Sequence, residues 1–148
     1  MYLAWLLAVL ISGTWFGMSL SYLTMAVPAS KECSAADELA RIWRGLYENG
    51  KLGALASTPI LVVLGFLAMS SKTCHMCLWL AILFILVKIP FTFIKMEPGI
   101  NKELKEATKK KSTKEVLELM ATWCNYHAVR AATDGLSFLF FAMAWEGK

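Results

Sequence analysis

Residues 76–94 read MCLWLAILFILVKIPFTFI, with Lys88 as the one charge in nineteen positions. About 20 apolar residues are what an α-helix needs to cross a hydrocarbon layer of ~30 Å. Pro90 inside the run argues against a strand and is tolerated in a membrane helix. Three runs of the same character lie on either side: 2–29, 52–71, and 122–145, the last interrupted only by Arg130 and Asp134. The whole chain of 148 residues is 57% hydrophobic, with mean hydropathy +0.53. Such a chain has too little polar surface to cover itself in water, so its surplus apolar residues must face lipid. The expected fold is all-α: one integral membrane four-helix bundle, with helices at about 2–29, 52–71, 76–94 and 115–145.

The first run has no basic segment before it and far exceeds the 7–15 apolar residues of a signal peptide, so it reads as a mature helix. Gly13, Gly17, Ser21 and Thr24 form a small-residue stripe along it. Stripes of this kind let helices approach closely in lipid. Charge sets the expected orientation, because Lys and Arg accumulate in short cytosolic loops. The connection between helices one and two carries Lys31, Arg41, Arg44 and Lys51, and that between three and four carries Lys95, Lys102, Lys105, Lys109, Lys110, Lys111 and Lys114. Both connections are therefore expected in the cytosol and both termini on the other side. A basic loop beside anionic lipid accounts for the net charge of +4 without any nucleic acid partner. The partners this composition admits are membrane lipid and a second copy of the chain in a homo-oligomer.

Both connections have internal structure. Ser34, with Asp37 three residues on, resembles a capping box. From there 37–49 places Leu39, Ile42, Trp43, Leu46 and Tyr47 on one face. This predicts an amphipathic interfacial helix over about 35–49, ended by Gly50, acting as a seal or as a substrate gate. Residues 101–118 mix Lys with Glu and read as a solvated extension of helix four.

Helix four carries the most informative pattern. Trp123, His127, Arg130 and Asp134 follow one another by four, three and four residues. At ~100° per residue they fall within about 60° of each other, on one face. Ionisable groups inside a membrane are costly and mark functional sites by default. Arg130 and Asp134, one turn apart, are expected to neutralise each other; the structural alternative is an ion pair that only registers the bundle. Asn125 projects from the opposite face. On helix three, Lys88 is expected to snorkel toward the interface, and Pro90 and Thr92 lie beside it. These residues predict a pocket between helices one, three and four.

Cys74-His75-Met76-Cys77 places a CxxC at the start of helix three. Soft ligands at this spacing suit Cu(I), half a zinc site or a disulfide in an oxidising compartment. Cys33 and Cys124 fall on the other side. No phosphate-binding loop, no GxSxG, no HExxH and no histidine set for haem or two metals is present. A mechanism without metal or other cofactor fits this inventory.

In the order of its motifs the chain resembles the small four-helix membrane proteins related to fungal anthrone oxygenases. The resemblance is carried by Ser12-Gly13 and Gly17-Met18-Ser19 leading to Val27-Pro28, by Trp43-Arg44-Gly45-Leu46-Tyr47-Glu48-Asn49-Gly50, by Pro90-Phe91-Thr92 followed by Pro98, Asn101 and Leu104, and by Trp123, His127 and Arg130. Lys88 and the CxxC depart from that pattern. The resemblance implies oxidation of an anthrone or similar phenolic polyketide to a quinone with molecular oxygen, without a cofactor. It implies His127 as base, Arg130 as the cation facing the developing oxyanion, and Asp134 orienting Arg130. It further implies Trp123 stacked on the rings, Asn101 bonded to a carbonyl or phenol, and Thr92 and Trp43 in the substrate site. Two other functions compete: a membrane scaffold or assembly protein whose polar stripe binds a partner, and a thiol/quinone oxidoreductase using the CxxC.

Overall fold

Four long helices carry most of the chain in the computed structural model, which describes residues 1–30, 32–33, 35–69, 73–107 and 111–145. Helix α1 (Tyr2–Ser21) continues through a wider π-type turn, Tyr22–Ala26, into a last turn, Val27–Ser30. Helix α2 is Ala36–Ala68, α3 is His75–Phe91 and α4 is Thr113–Met143. Helix α3 is prolonged by a π-type stretch, Thr92–Asn101, and a final segment, Lys102–Glu106. Pro90 precedes that stretch and Pro98 lies within it. A proline lacks the N–H of the regular ladder and crowds the carbonyl four residues back, and wider turns are one way a helix absorbs this. Among the described residues there is no strand, only an isolated antiparallel bridge between Thr73 and Trp145.

The helices form a ring in which α1 packs on α4 and α2, and α3 packs on α4 and α2, with α4 also touching α2 across the middle. Three helical stretches, Tyr2–Ala29, Ala36–Ala68 and His75–Glu106, are long and apolar enough to cross a membrane. The fourth, expected as a span over 115–145, is not among them. Its middle carries His127, Arg130, Thr133 and Asp134, and it packs on all three of the other long helices. Outward-facing Leu3, Leu7 and Leu10 on α1, Leu55, Val63 and Phe66 on α2, and Trp79, Leu83 and Leu86 on α3 are all exposed.

Several local expectations change. The amphipathic segment is no separate interfacial helix: α2 runs unbroken through Gly50. Its apolar face turns inward, burying Leu39, Trp43 and Tyr47. The helix is capped at Ala35 without a side-chain bond, and Ser34 lies outside the described residues. Residues 102–106 extend α3, whereas α4 starts afresh after Ser112. There Ser112 and Glu115 form a capping box in which the Ser112 N–H donates to Glu115 Oε2 over 2.7 Å, holding that carboxyl below its ordinary range. The small-residue stripe of α1 packs only in part: a Cβ on Gly13 would sit 3.0 Å from the Phe138 ring of α4, whereas Gly17 and Thr24 are exposed and the buried positions are Ala8, Ser12 and Ser19.

The core divides in two. One cluster joins Leu39, Ala40, Trp43 and Tyr47 of α2 to Met96, Ile100 and Leu104 beyond α3 and to Val116, Met120 and Trp123 of α4. The other joins Ala8, Leu61, Ala68, Leu78, Ala81, Ile85 and Phe141. Between them lies a polar layer of Ser19, Lys88, His127 and Asp134, all buried.

Candidate functional site

The polar layer borders a cavity of about 220 Å³. All four helices build its wall: Trp15 and Ser19 from α1 and Tyr22 from the turn that continues it, Tyr47, Lys51, Leu55, Thr58 and Pro59 from α2, Lys88, Ile89, Thr92, Phe93 and Glu97 from α3 and its extension, and Trp123, His127, Arg130 and Asp134 from α4. Helix α2 is thus a wall in addition to the three helices expected. Gly53 helps to set this wall, since a Cβ there would run into the ring of Trp15.

The four residues of the α4 stripe do share one space, but their pairings differ from those expected. Asp134 does not pair with Arg130. Its Oδ1 receives Lys88 Nζ at 2.6 Å, and its Oδ2 accepts the Ser19 hydroxyl at 2.8 Å. Lys88 therefore does not snorkel: its side chain is 6% exposed and is committed to this ion pair. The pair joins α3 to α4, and Ser19 ties α1 to both. A buried charge left without a partner would be costly, which is why the lysine turns inward to a carboxylate at the same depth.

Freed from Asp134, the Arg130 guanidinium makes no hydrogen bond and no ion pair among the described residues, and its Nε is buried. His127 is 4% exposed. Its ring lies flat on Trp123, with centroids 4.7 Å apart and planes 8° from parallel, and Tyr22 approaches at 5.6 Å. Neither imidazole nitrogen has a partner in hydrogen-bond geometry, although the Ser19 backbone lies close by. Buried polar groups are nearly always satisfied, so unpartnered nitrogens on a cavity wall mark a place where a bound molecule would complete the bonding.

A second polar group closes the end of the cavity nearest the first core cluster. The Tyr47 hydroxyl donates to Glu97 Oε1, and Lys105 Nζ reaches Glu97 Oε2 at 3.3 Å while sitting 4.7 Å from the centre of the Tyr47 ring. Arg44 ties the same region by donating to the Lys105 carbonyl at 2.9 Å.

The remaining expected residues separate. Thr92 is on the wall, with its hydroxyl donating to the Lys88 carbonyl at 2.8 Å. Asn101 is not: it is fully buried beside Leu104, because the π-type stretch carries it one turn past Glu97 into the core. Trp43 also lies behind the wall, stacked on Tyr47 at 5.1 Å and edge-on to Trp123 at 6.4 Å. With one face covered by His127, Trp123 supports the imidazole before anything else. Lys88, Glu97, Tyr47 and Ser19 were missed as site residues. The signal for Lys88 was available, since it and Asp134 are opposite charges within two apolar runs.

Cys74 and Cys77 stand apart. The Cys77 N–H donates to Cys74 Sγ at 3.3 Å, capping α3 at its start. Eleven residues of helix at 1.5 Å each separate Cys77 from Lys88 by roughly 16 Å along the axis. Among the described residues no group of three or more His, Cys, Asp or Glu side chains is placed to hold a metal ion.

The fold and the cavity define a class: an all-helical protein, apolar outside, with an ionisable pocket enclosed by its helices. Residues 43–140 match the family model described as anthrone oxygenase, and the chain belongs to that family. The match covers the cavity walls of α2, α3 and α4 and leaves out that of α1. No curated protein and no solved structure matches the chain.

Proposed function

We propose that this protein is a multi-spanning membrane oxygenase that converts an anthrone or a similar phenolic polyketide to the quinone with molecular oxygen. One observation carries the reading: a buried imidazole with no hydrogen-bond partner at either nitrogen shares a cavity with a guanidinium that makes no ion pair or hydrogen bond among the described residues. Family membership supports it.

The chemistry asks for a base, a stabiliser of negative charge and a dry aromatic enclosure. His127 takes a proton from the acidic ring methylene, and Arg130 faces the enolate oxygen that results. The carbanion gives an electron to oxygen, the two radicals join as a carbon-bound peroxide anion, and the proton held by His127 returns to it to give the hydroperoxide. Loss of the second methylene proton then breaks the O–O bond. The sum is one CH₂ and one O₂ giving one C=O and one H₂O, so the substrate is the only reductant. Lys88, Asp134 and Ser19 hold α1, α3 and α4 together around the reacting space, and Asp134 acts through Lys88.

In the membrane, α4 completes a four-helix bundle with its charges turned inward and Val129, Leu139 and Met143 outward. Both basic connections lie in the cytosol and both termini opposite, following the charge asymmetry.

The test is oxygen uptake and quinone absorbance with purified protein and an anthrone, against His127→Ala. A general base contributes about 10²- to 10⁴-fold, and loss of that size with unchanged thermal stability is expected. An undiminished rate in His127→Ala would remove the base from the mechanism, and no turnover by the parent protein would return the cavity to a binding role.

A further inference from the structure

The wall of the cavity carries more positive than negative charge: Lys51, Lys88 and Arg130 face Glu97 and Asp134. The two carboxylates are already engaged. Asp134 is taken by Lys88 and Ser19, and Glu97 by Tyr47 and Lys105. What remains is Lys51, exposed and 5.7 Å from the centre of the Tyr47 ring, and the more enclosed Arg130, whose guanidinium does not give up its proton in proteins. Arg130 feels the charges of Asp134 and Glu97 but makes no ion pair or hydrogen bond with either among the described residues, and a bound anion would supply the direct partner this largely enclosed cation lacks.

The other side of the cavity is apolar and open. Leu55 and Pro59 of α2 face Ile89 and Phe93 of α3, with Leu55 59% and Phe93 60% exposed. This is the lipid-facing flank of two helices apolar enough to span. The enclosed volume of about 220 Å³ is below the usual range for drug-sized ligands, so a fused-ring ligand would extend into this gap. Trp15, Tyr22 and Phe93 make the wall aromatic where the rings would lie.

We infer that the substrate is a monoanion, an aromatic carboxylic acid whose carboxylate is held by Arg130 while its rings point toward the gap between α2 and α3. Guanidinium and carboxylate match in geometry as well as charge, and the pair is worth most away from water. With five N–H donors, Arg130 holds the carboxylate along one edge and keeps another edge for the enolate oxygen. The inference rests on the cavity being the substrate site, but it concerns binding and needs no turnover.

The experiment is calorimetric titration of the protein in lipid nanodiscs, with empty nanodiscs as blank, using anthraquinone-2-carboxylate, its methyl ester and laurate. The acid is expected to bind at least tenfold tighter than either comparator. Arg130→Gln should bring the acid down to the level of the ester, and Arg130→Lys, which keeps the charge but not the two-pronged geometry, should fall between the parent and Arg130→Gln. Equal affinity for acid and ester would overturn the inference, and so would laurate binding as tightly as the aromatic acid. The three probes decide this on the parent protein even if Arg130→Gln fails to fold. Selective binding without quinone formation would sink the oxygenase reading alone. Turnover of neutral anthrones with no preference for the acid would sink this one alone.

Discussion

The two ends of the helix ring solve opposite problems. Around Phe141 the backbone and aromatic groups close on each other: Trp5 Nε1 donates to the Phe141 carbonyl at 2.7 Å, Cys74 N–H donates to the Ala144 carbonyl at 2.8 Å, and Tyr2, Trp5 and Trp145 cluster with centroids 5.1 to 5.5 Å apart. Around His127 the four helices leave a cavity, and buried nitrogens of His127 and Arg130 beside it have no hydrogen-bond partner. The closed end is made of apolar residues and small ones, so it can pack to interior density. The open end holds aromatic and charged side chains, and three helices are kept in register there by the Lys88–Asp134–Ser19 connection. Rigidity at one end lets the other remain incompletely filled.

The comparison is tested most severely at the ion pair. Asp134→Ala leaves Lys88 charged and buried without its carboxylate, and a loss of about 3–5 kcal/mol is expected. Thermal denaturation in detergent would show it, and the double variant Lys88→Met with Asp134→Leu should recover most of the loss. If the single variant is as stable as the parent, the pair does not hold the open end together. A smaller effect is expected at the closed end from Gly65→Val, since even a Cβ there would sit 2.9 Å from Ile82 Cδ1. Overpacking of this kind costs about 1–3 kcal/mol, and ligand affinity should not change. Loss of binding in that variant would show that the two ends are coupled. The smallest effect is expected from Trp5→Phe, which removes one hydrogen bond worth about 0.5–1.5 kcal/mol and should leave turnover intact.

Much of the fold was legible because its signals are local. The apolar runs, the face of 37–49 and the α4 stripe follow from periodicity, and Trp123, His127, Arg130 and Asp134 do line one cavity. Gly50 misled because a glycine inside a long helix costs only about 1 kcal/mol, which packing on both sides of it offsets. Asn101 misled because the wide turns after Pro90 change the angular position of every later residue, and regular helical spacing cannot foresee that.

The partner of Asp134 is the clearest division between the two kinds of information. Composition and periodicity alone determined that this chain is helical, that it has apolar surface to spare, and that Trp123, His127, Arg130 and Asp134 share one face of the last helix. Only the tertiary structure decided which charges cancel. Arg130 is four residues from Asp134 and Lys88 is forty-six away, yet it is Lys88 that reaches the carboxylate, at 2.6 Å. Pairing depends on depth and on the helix opposite, neither of which is written in spacing along one helix. With Lys88 spent on Asp134, Arg130 is left facing the cavity.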